Sequence, residues 1–206
     1  MSEAIEVTPL FHRAPVGAGE DSLVAMTEIV GWGIIELRIR PEDQSAHEAV
    51  RAVLGFELPC AARSSSGIGE LKALWLSVDQ WLIIGRLVEC GARIEALKAA
   101  LNGHLSSVTD LSSAYAMIRL AGAGANEIIK KGSQCNFAGN SPVAGTVSRL
   151  PLAGLPAIVH MVQSGGEMID LYVDRSYAES AWAWLVRASR RQAEVRLFAR
   201  QSTPPV

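Results

Sequence analysis

Residues 29–40 read IVGWGIIELRIR, and Ile35, Leu37 and Ile39 alternate with Glu36, Arg38 and Arg40. A period of two with one polar row predicts a strand with one wet face. Pro41 follows where a helix can begin, and residues 46–54 continue as a predicted helix that Gly55 can stop. Residues 60–70, rich in Ser and Gly, read as a loop. Residues 71–77 and 81–87 form the clearest hairpin, turning at Val78, Asp79 and Gln80. Ile94, Leu97 and Leu101 recur at spacings of three and four, so residues 90–101 predict a helix, ended by Asn102-Gly103 as a left-handed cap.

The second half opens on VTDLSSAYAMIRLAGAGANEIIKKG, residues 108–132. It reads as an Asp-Leu-Ser turn, a strand over residues 114–120, a glycine corner and a helix over residues 123–131 closed by Gly132. Tyr115, Met117 and Arg119 alternate there with Ala116, Ile118 and Leu120. Residues 133–146 predict a loop. Strands are expected near residues 147–152, 157–162 and 168–173, and a last helix over residues 177–191. The order is strand-helix-hairpin-helix, then strand-helix-three strands-helix. It implies an α+β fold with mixed or antiparallel sheets in two small lobes, about 29–102 and 107–191, and not a doubly wound sheet. No internal sequence repeat is evident. Residues 1–28, punctuated by Pro9, Pro15, Gly17 and Gly19, read as an N-terminal arm, either disordered or ordered against a partner with Leu10 and Phe11 as anchors. Residues 192–206 read as a C-terminal tail.

The last helix changes the functional picture. At ~100° per residue, Ala178, Trp182, Leu185 and Ser189 make one stripe, and Tyr177, Ala181, Trp184 and Ala188 a second. One face can pack on a sheet. The other leaves Tyr177 and Trp184 exposed unless something covers them, and such aromatics are typical interface anchors. The alternative is a helix sandwiched within its own fold.

Composition is consistent with a chain that has a large partner. Of the residues, 49% are hydrophobic and only 19% charged, less than the ~25% usual in soluble domains. The net charge of -2 supplies no basic field for nucleic acid or anionic lipid, and the arginines 187, 190, 191, 196 and 200 are explained in part by the helix dipole. Three cysteines without a CxxC pair suit reduced cytoplasmic thiols better than a disulfide framework or zinc site. The N-terminus has neither a basic region nor an apolar run, so no signal peptide is expected. The longest uncharged run, residues 150–166, is interrupted by Pro151, Gly154 and Pro156, so no membrane span is expected.

Candidate chemistry does not assemble. GAGANE, residues 122–127, has Glu where a dinucleotide fingerprint needs its third glycine, and reads as a tight strand-to-helix turn. Asp110 and Ser112 are expected to bond local backbone, with only His104 near in sequence. The histidines 12, 47, 104 and 160 lack metal-ligand spacing. Cys135, with Lys130 and Lys131 nearby, is a weak candidate thiol.

Four segments carry a family resemblance: LWLSVDQWLIIG (residues 74–85), VTDLSSAYAMIRLAGAGANEIIKKG (108–132), AGTVSRLPLAGLPAIVH (144–160) and DLYVDRSYAESAWAWL (170–185). With them the chain resembles the gamma subunit of heterotetrameric sarcosine oxidase. Ser141-Pro142-Val143 and Cys135 depart from the family's pattern. The resemblance implies a fold like the folate-binding domain of glycine-cleavage T-protein. It further implies a cytoplasmic complex that oxidatively demethylates sarcosine to glycine, forms hydrogen peroxide, and passes the methyl carbon to tetrahydrofolate or releases formaldehyde. By the same resemblance, FAD, FMN, NAD, tetrahydrofolate and zinc belong to partner subunits and this chain has no cofactor, metal or catalytic residue. Its partners would be the alpha, beta and delta subunits, alpha most directly, with Tyr177, Trp184, Leu10 and Phe11 as the candidate contact. Three alternatives stay open: the small subunit of a related N-methyl amino acid dehydrogenase, a stand-alone folate-binding or aminomethyl-transfer protein recruiting Asp110 with Arg119 or Arg149, and an RNA-modification accessory of the same fold, against which the acidic net charge argues.

Overall fold

The computed structural model describes residues 8–17, 22, 24–133 and 143–190. Two five-stranded antiparallel sheets lie at its centre. The strands are β1 (Ala25–Glu28), β2 (Trp32–Ile39), β3 (Ser65–Ile68), β4 (Leu71–Ser77), β5 (Gln80–Arg86), β6 (Ser106–Asp110), β7 (Tyr115–Ala121), β8 (Val147–Leu152), β9 (Leu155–Met161) and β10 (Met168–Asp174). The helices are α1 (Gln44–Leu54), α2 (Leu87–Ala100), α3 (Ala125–Gly132) and α4 (Ala178–Ser189). The first sheet runs β3-β4-β5-β2-β6 and the second β1-β7-β10-β9-β8.

Three apolar layers follow from period-two alternation. Ile35, Leu37, Ile83 and Trp81 face α1 and α2 on one side of the first sheet. Ile118, Leu171 and Val159 face α3 and α4 on the far side of the second. Between the sheets, Ile34, Leu74, Leu82 and Ile84 meet Met117, Val147, Ile158 and Tyr172. The order is therefore helices, sheet, sheet, helices, with both sheets half-covered by each other. The wet face expected for β2 holds only toward its end: Arg38 is exposed, whereas Ile34 is buried against the opposite sheet.

Helix α1 starts later than Pro41. Asp43 is its N-cap, accepting from the Ala46 N–H at 3.0 Å, and Gly55 closes it at φ 82°. Bonds from Ser45, His104 and the Ala46 N–H hold the Asp43 carboxyl well below the usual carboxylate range.

Three strands differ from the expected loops. β3 is an edge of Ser and Gly whose Gly67 leaves no room for a side chain, because a Cβ there would lie 2.2 Å from the Leu71 carbonyl oxygen. β6 has no buried apolar row. β1 lies inside the stretch read as an arm. That reading is corrected for the described residues: β1 pairs with β7, Val16 bridges Met26, and Val24 and Met26 are buried in the second lobe. Thr8 donates to Glu28 at 2.7 Å, and Arg13 pairs with Glu179 at 2.5 Å. Residues 1–7, residues 134–142 with Cys135, Ser141 and Pro142, and residues 191–206 with the C-terminal tail lie outside the described residues.

Candidate functional site: the junction between the lobes and a partner surface

The chain passes from one sheet to the other at Asp110-Leu111-Ser112, where β6 ends and β7 is about to begin. Asp110 Oδ1 accepts from the Ser112 N–H at 2.9 Å and from the Ser112 hydroxyl at 2.6 Å. The same hydroxyl accepts from the Ile34 N–H at 3.0 Å, with the Cys90 thiol at 3.5 Å. Ser112 thus spends its proton on Asp110 and a lone pair on the start of β2, which makes it a staple between lobes and not an activated nucleophile. His104 is committed elsewhere, 2.8 Å from Asp43 at the N-cap of α1. Burial pushes the Cys90 thiol up, away from the thiolate form.

The glycine corner is likewise mechanical. Gly122 takes φ 132° and its N–H reaches the Glu167 carbonyl at 2.7 Å. Glu127 pairs with Lys130 at 2.8 Å. Gly132 lies within α3 and does not close it from outside: a Cβ there would stand 2.5 Å from the Trp184 ring, so the glycine admits the indole between α3 and α4.

Between the sheets, Arg119 donates to both oxygens of Asp170 at 2.7 and 2.8 Å, and Asp170 is 3% exposed. Arg119 is therefore consumed by a buried partner. Beside Asp170 in register sits His160, 4% exposed. Ser65 donates its proton to the Gly145 carbonyl at 3.0 Å, so at 3.2 Å it accepts from His160 Nε2–H. Nδ1 is then a buried lone pair without a donor, and burial pushes the imidazole down to about 4. No group of His, Cys, Asp or Glu among the described residues could hold a metal ion.

The four candidate contact residues separate. Leu10 is 1% exposed, inside the second lobe's own core, which corrects its reading as a partner anchor. Trp184 is half-buried against that core and against Gly132, so both stripes of α4 are largely covered by the fold itself. Phe11, 70% exposed, and Tyr177, 40% exposed, remain outside. Glu179 draws them onto one surface by pairing with His12 at 2.6 Å and with Arg13. Phe11 also borders a cleft of about 390 Å³ between the lobes, with Val30, Trp32, Ser112, Tyr115 and Arg175. Sequence periodicity missed Val30 and Val88, both exposed, because Val30 lies between β1 and β2 and Val88 is in the first turn of α2, off its buried stripe.

The described residues include no helix long and apolar enough to cross a membrane. No curated protein sequence matches the chain significantly. Among solved structures, the chain is similar to one in the heterotetrameric sarcosine oxidase from Corynebacterium sp. U-96 in complex with pyrrole 2-carboxylate, at 23% identity and a TM-score of 0.82, covering 95% of this chain and 100% of that one. It is also similar to the glycine cleavage system aminomethyltransferase T from Bartonella henselae, at 13% identity and a TM-score of 0.61, covering 81% of this chain and 46% of that one. The model of the sarcosine oxidase gamma subunit family matches residues 40–191, most of the chain, so this protein belongs to that family.

Proposed function

We propose that this chain is the non-catalytic gamma subunit of a heterotetrameric, flavin-containing sarcosine oxidase, acting in the cytoplasm. The family match over residues 40–191 carries the reading. Two observations support a structural role: Asp110 and Ser112 are bonded to each other and to the start of β2, and Arg119 is locked to Asp170. In this reading FAD, FMN, NAD, tetrahydrofolate and zinc reside on the alpha, beta and delta subunits. The exposed surface of Phe11, Val30 and Tyr177 packs against alpha. Large exposed aromatics beside the Arg13–Glu179 ion pair are suitable anchors, since their rings bury much apolar area on docking.

The test is to tag the chain in its native host and analyse what purifies with it. The expected eluate is yellow, contains a large flavoprotein, and releases peroxide on adding sarcosine. Release with a different N-methyl amino acid, or electron transfer without peroxide, would reassign it to a related dehydrogenase. A colourless single chain would overturn the subunit reading.

A further inference from the structure

The first sheet does not cover the whole inner face of the second. At the ends of β8, β9, β10 and β7 the register sets Arg149, Ile158 and Tyr172 in one row, and Pro151, Pro156, Asp174 and Tyr115 in the next. These residues line a cavity of about 460 Å³. Its volume is in the range of small-molecule sites. Its floor is proline, isoleucine and tyrosine, and its rim is one cation and one anion.

The polar groups there are free to act. Arg149 makes one side-chain hydrogen bond among the described residues, to the Gln80 side-chain oxygen at 3.4 Å across the gap. Neither the Asp174 carboxylate nor the Tyr115 hydroxyl has a hydrogen-bond partner among the described residues. This differs from Arg119 and Asp170, further along the same face, which are fully engaged with each other. Unpaired groups of opposite charge on an apolar floor are what a ligand site retains and a packed core removes.

The charge pattern of the rim points to the ligand. Arg149 and Asp174 stand two strands apart and two residues along, which places their Cα atoms ~12 Å apart. The two charges therefore sit at separate places on the rim, with the apolar floor between them, and a flat ring carrying a charged group at each end can meet both. We propose that the uncovered end of the second sheet binds a small flat molecule with a carboxylate at one end and an amine at the other. The carboxylate meets Arg149, the amine meets Asp174, and the ring lies on Pro151 and Pro156 with Tyr115 at its edge.

The probes are 4-(aminomethyl)benzoate, benzoate and benzylamine, titrated calorimetrically into the complex purified through the full chain. Binding of 4-(aminomethyl)benzoate should saturate. Arg149→Gln should weaken it and benzoate by about tenfold, the loss of one charge-assisted bond, and leave benzylamine unchanged. Asp174→Asn should weaken 4-(aminomethyl)benzoate and benzylamine and spare benzoate. Both side chains are at the rim, and unchanged thermal unfolding of the variants separates lost binding from lost folding. No saturable binding, or binding that neither substitution alters, overturns the proposal, the latter by placing the probe on another subunit. Peroxide release by the complex reports separately on the subunit reading.

Discussion

The two lobes follow one path with different closures. In the first, β2 leads through α1 to the meander β3-β4-β5, then α2, and β6 closes the sheet beside β2. In the second, β7 leads through α3 to the meander β8-β9-β10, then α4, but the strand beside β7 is β1, taken from before the first lobe. The first lobe is thus completed by the next segment of chain, and the second by a segment about ninety residues upstream of its own first strand. The second sheet cannot be finished until the N-terminal segment returns to it, which makes the lobes interdependent and raises the share of non-local contacts. Residues 8–17 and 24–28 are part of that closure.

The lobes also differ in what their inner faces carry. The first contributes mainly Ile and Leu at the centre. The second adds a buried ion pair and a buried histidine. The largest effect should therefore come from Arg119→Met, which leaves Asp170 buried without a partner. Chemical denaturation should show a loss of about 3 kcal/mol, toward the low end for a broken buried pair because Arg119 keeps some exposure. A loss below ~1 kcal/mol would break the contrast between the faces, since that is the scale of a surface pair.

His160 gives the second lobe an acid weakness. Its folded value is held near 4, below the ordinary 6.5, so the unfolded chain binds more protons between those values. Stability is full above about pH 6.5 and falls as pH drops toward 4, by roughly 3 kcal/mol at 1.36 kcal/mol per unit. His160→Gln should flatten that slope in unfolding curves taken across the window.

One substitution should take opposite signs in the two lobes. Gly132→Ala drives a Cβ into the Trp184 ring and should cost about 1–3 kcal/mol. Gly91→Ala, in α2 with open space around it, should stabilise by roughly 0.5–1 kcal/mol. Thermal unfolding of the pair checks both, and the same sign in each would remove the packing argument for α3 and α4.

The smallest effect lies at the N-cap of α1. The depressed Asp43 carboxyl stabilises the first lobe above the ordinary carboxylate range, and this contribution is lost as pH falls through its folded value. The difference in Tm between the protein and Asp43→Ala should shrink on acidification. A constant difference would show that the charge is irrelevant.

What was legible in the chain follows the same division. Strands with an apolar row on at least one face, such as β2, β4, β5 and β7, announce themselves by alternation. β3 and β6 do not, because they are short, Ser-rich and at or next to sheet edges, where pairing and not burial defines them. β1 is four residues between irregular stretches, and its reason for existing is the unpaired edge of β7, which no local pattern displays. The Asp110-Ser112 staple was readable because Asx turns are local. The bond from Ile34 N–H to Ser112, and the cover that Gly132 gives Trp184, depend on residues more than fifty positions apart. The shared path of the lobes was invisible for a related reason: topology repeats where side chains do not.

The subunit role proposed for this chain rests on a surface of its second lobe, where Phe11 and Tyr177 stay exposed. The direct measurement is the flavoprotein recovered with the tagged chain bearing Phe11→Asp and Tyr177→Asp, set against Val78→Asp, an equally exposed apolar residue at the hairpin tip of the first lobe. At least a tenfold loss of co-purifying flavin is expected for the double variant, as for a desolvated anchor pair, and full recovery with Val78→Asp. Equal recovery from both would contradict that role.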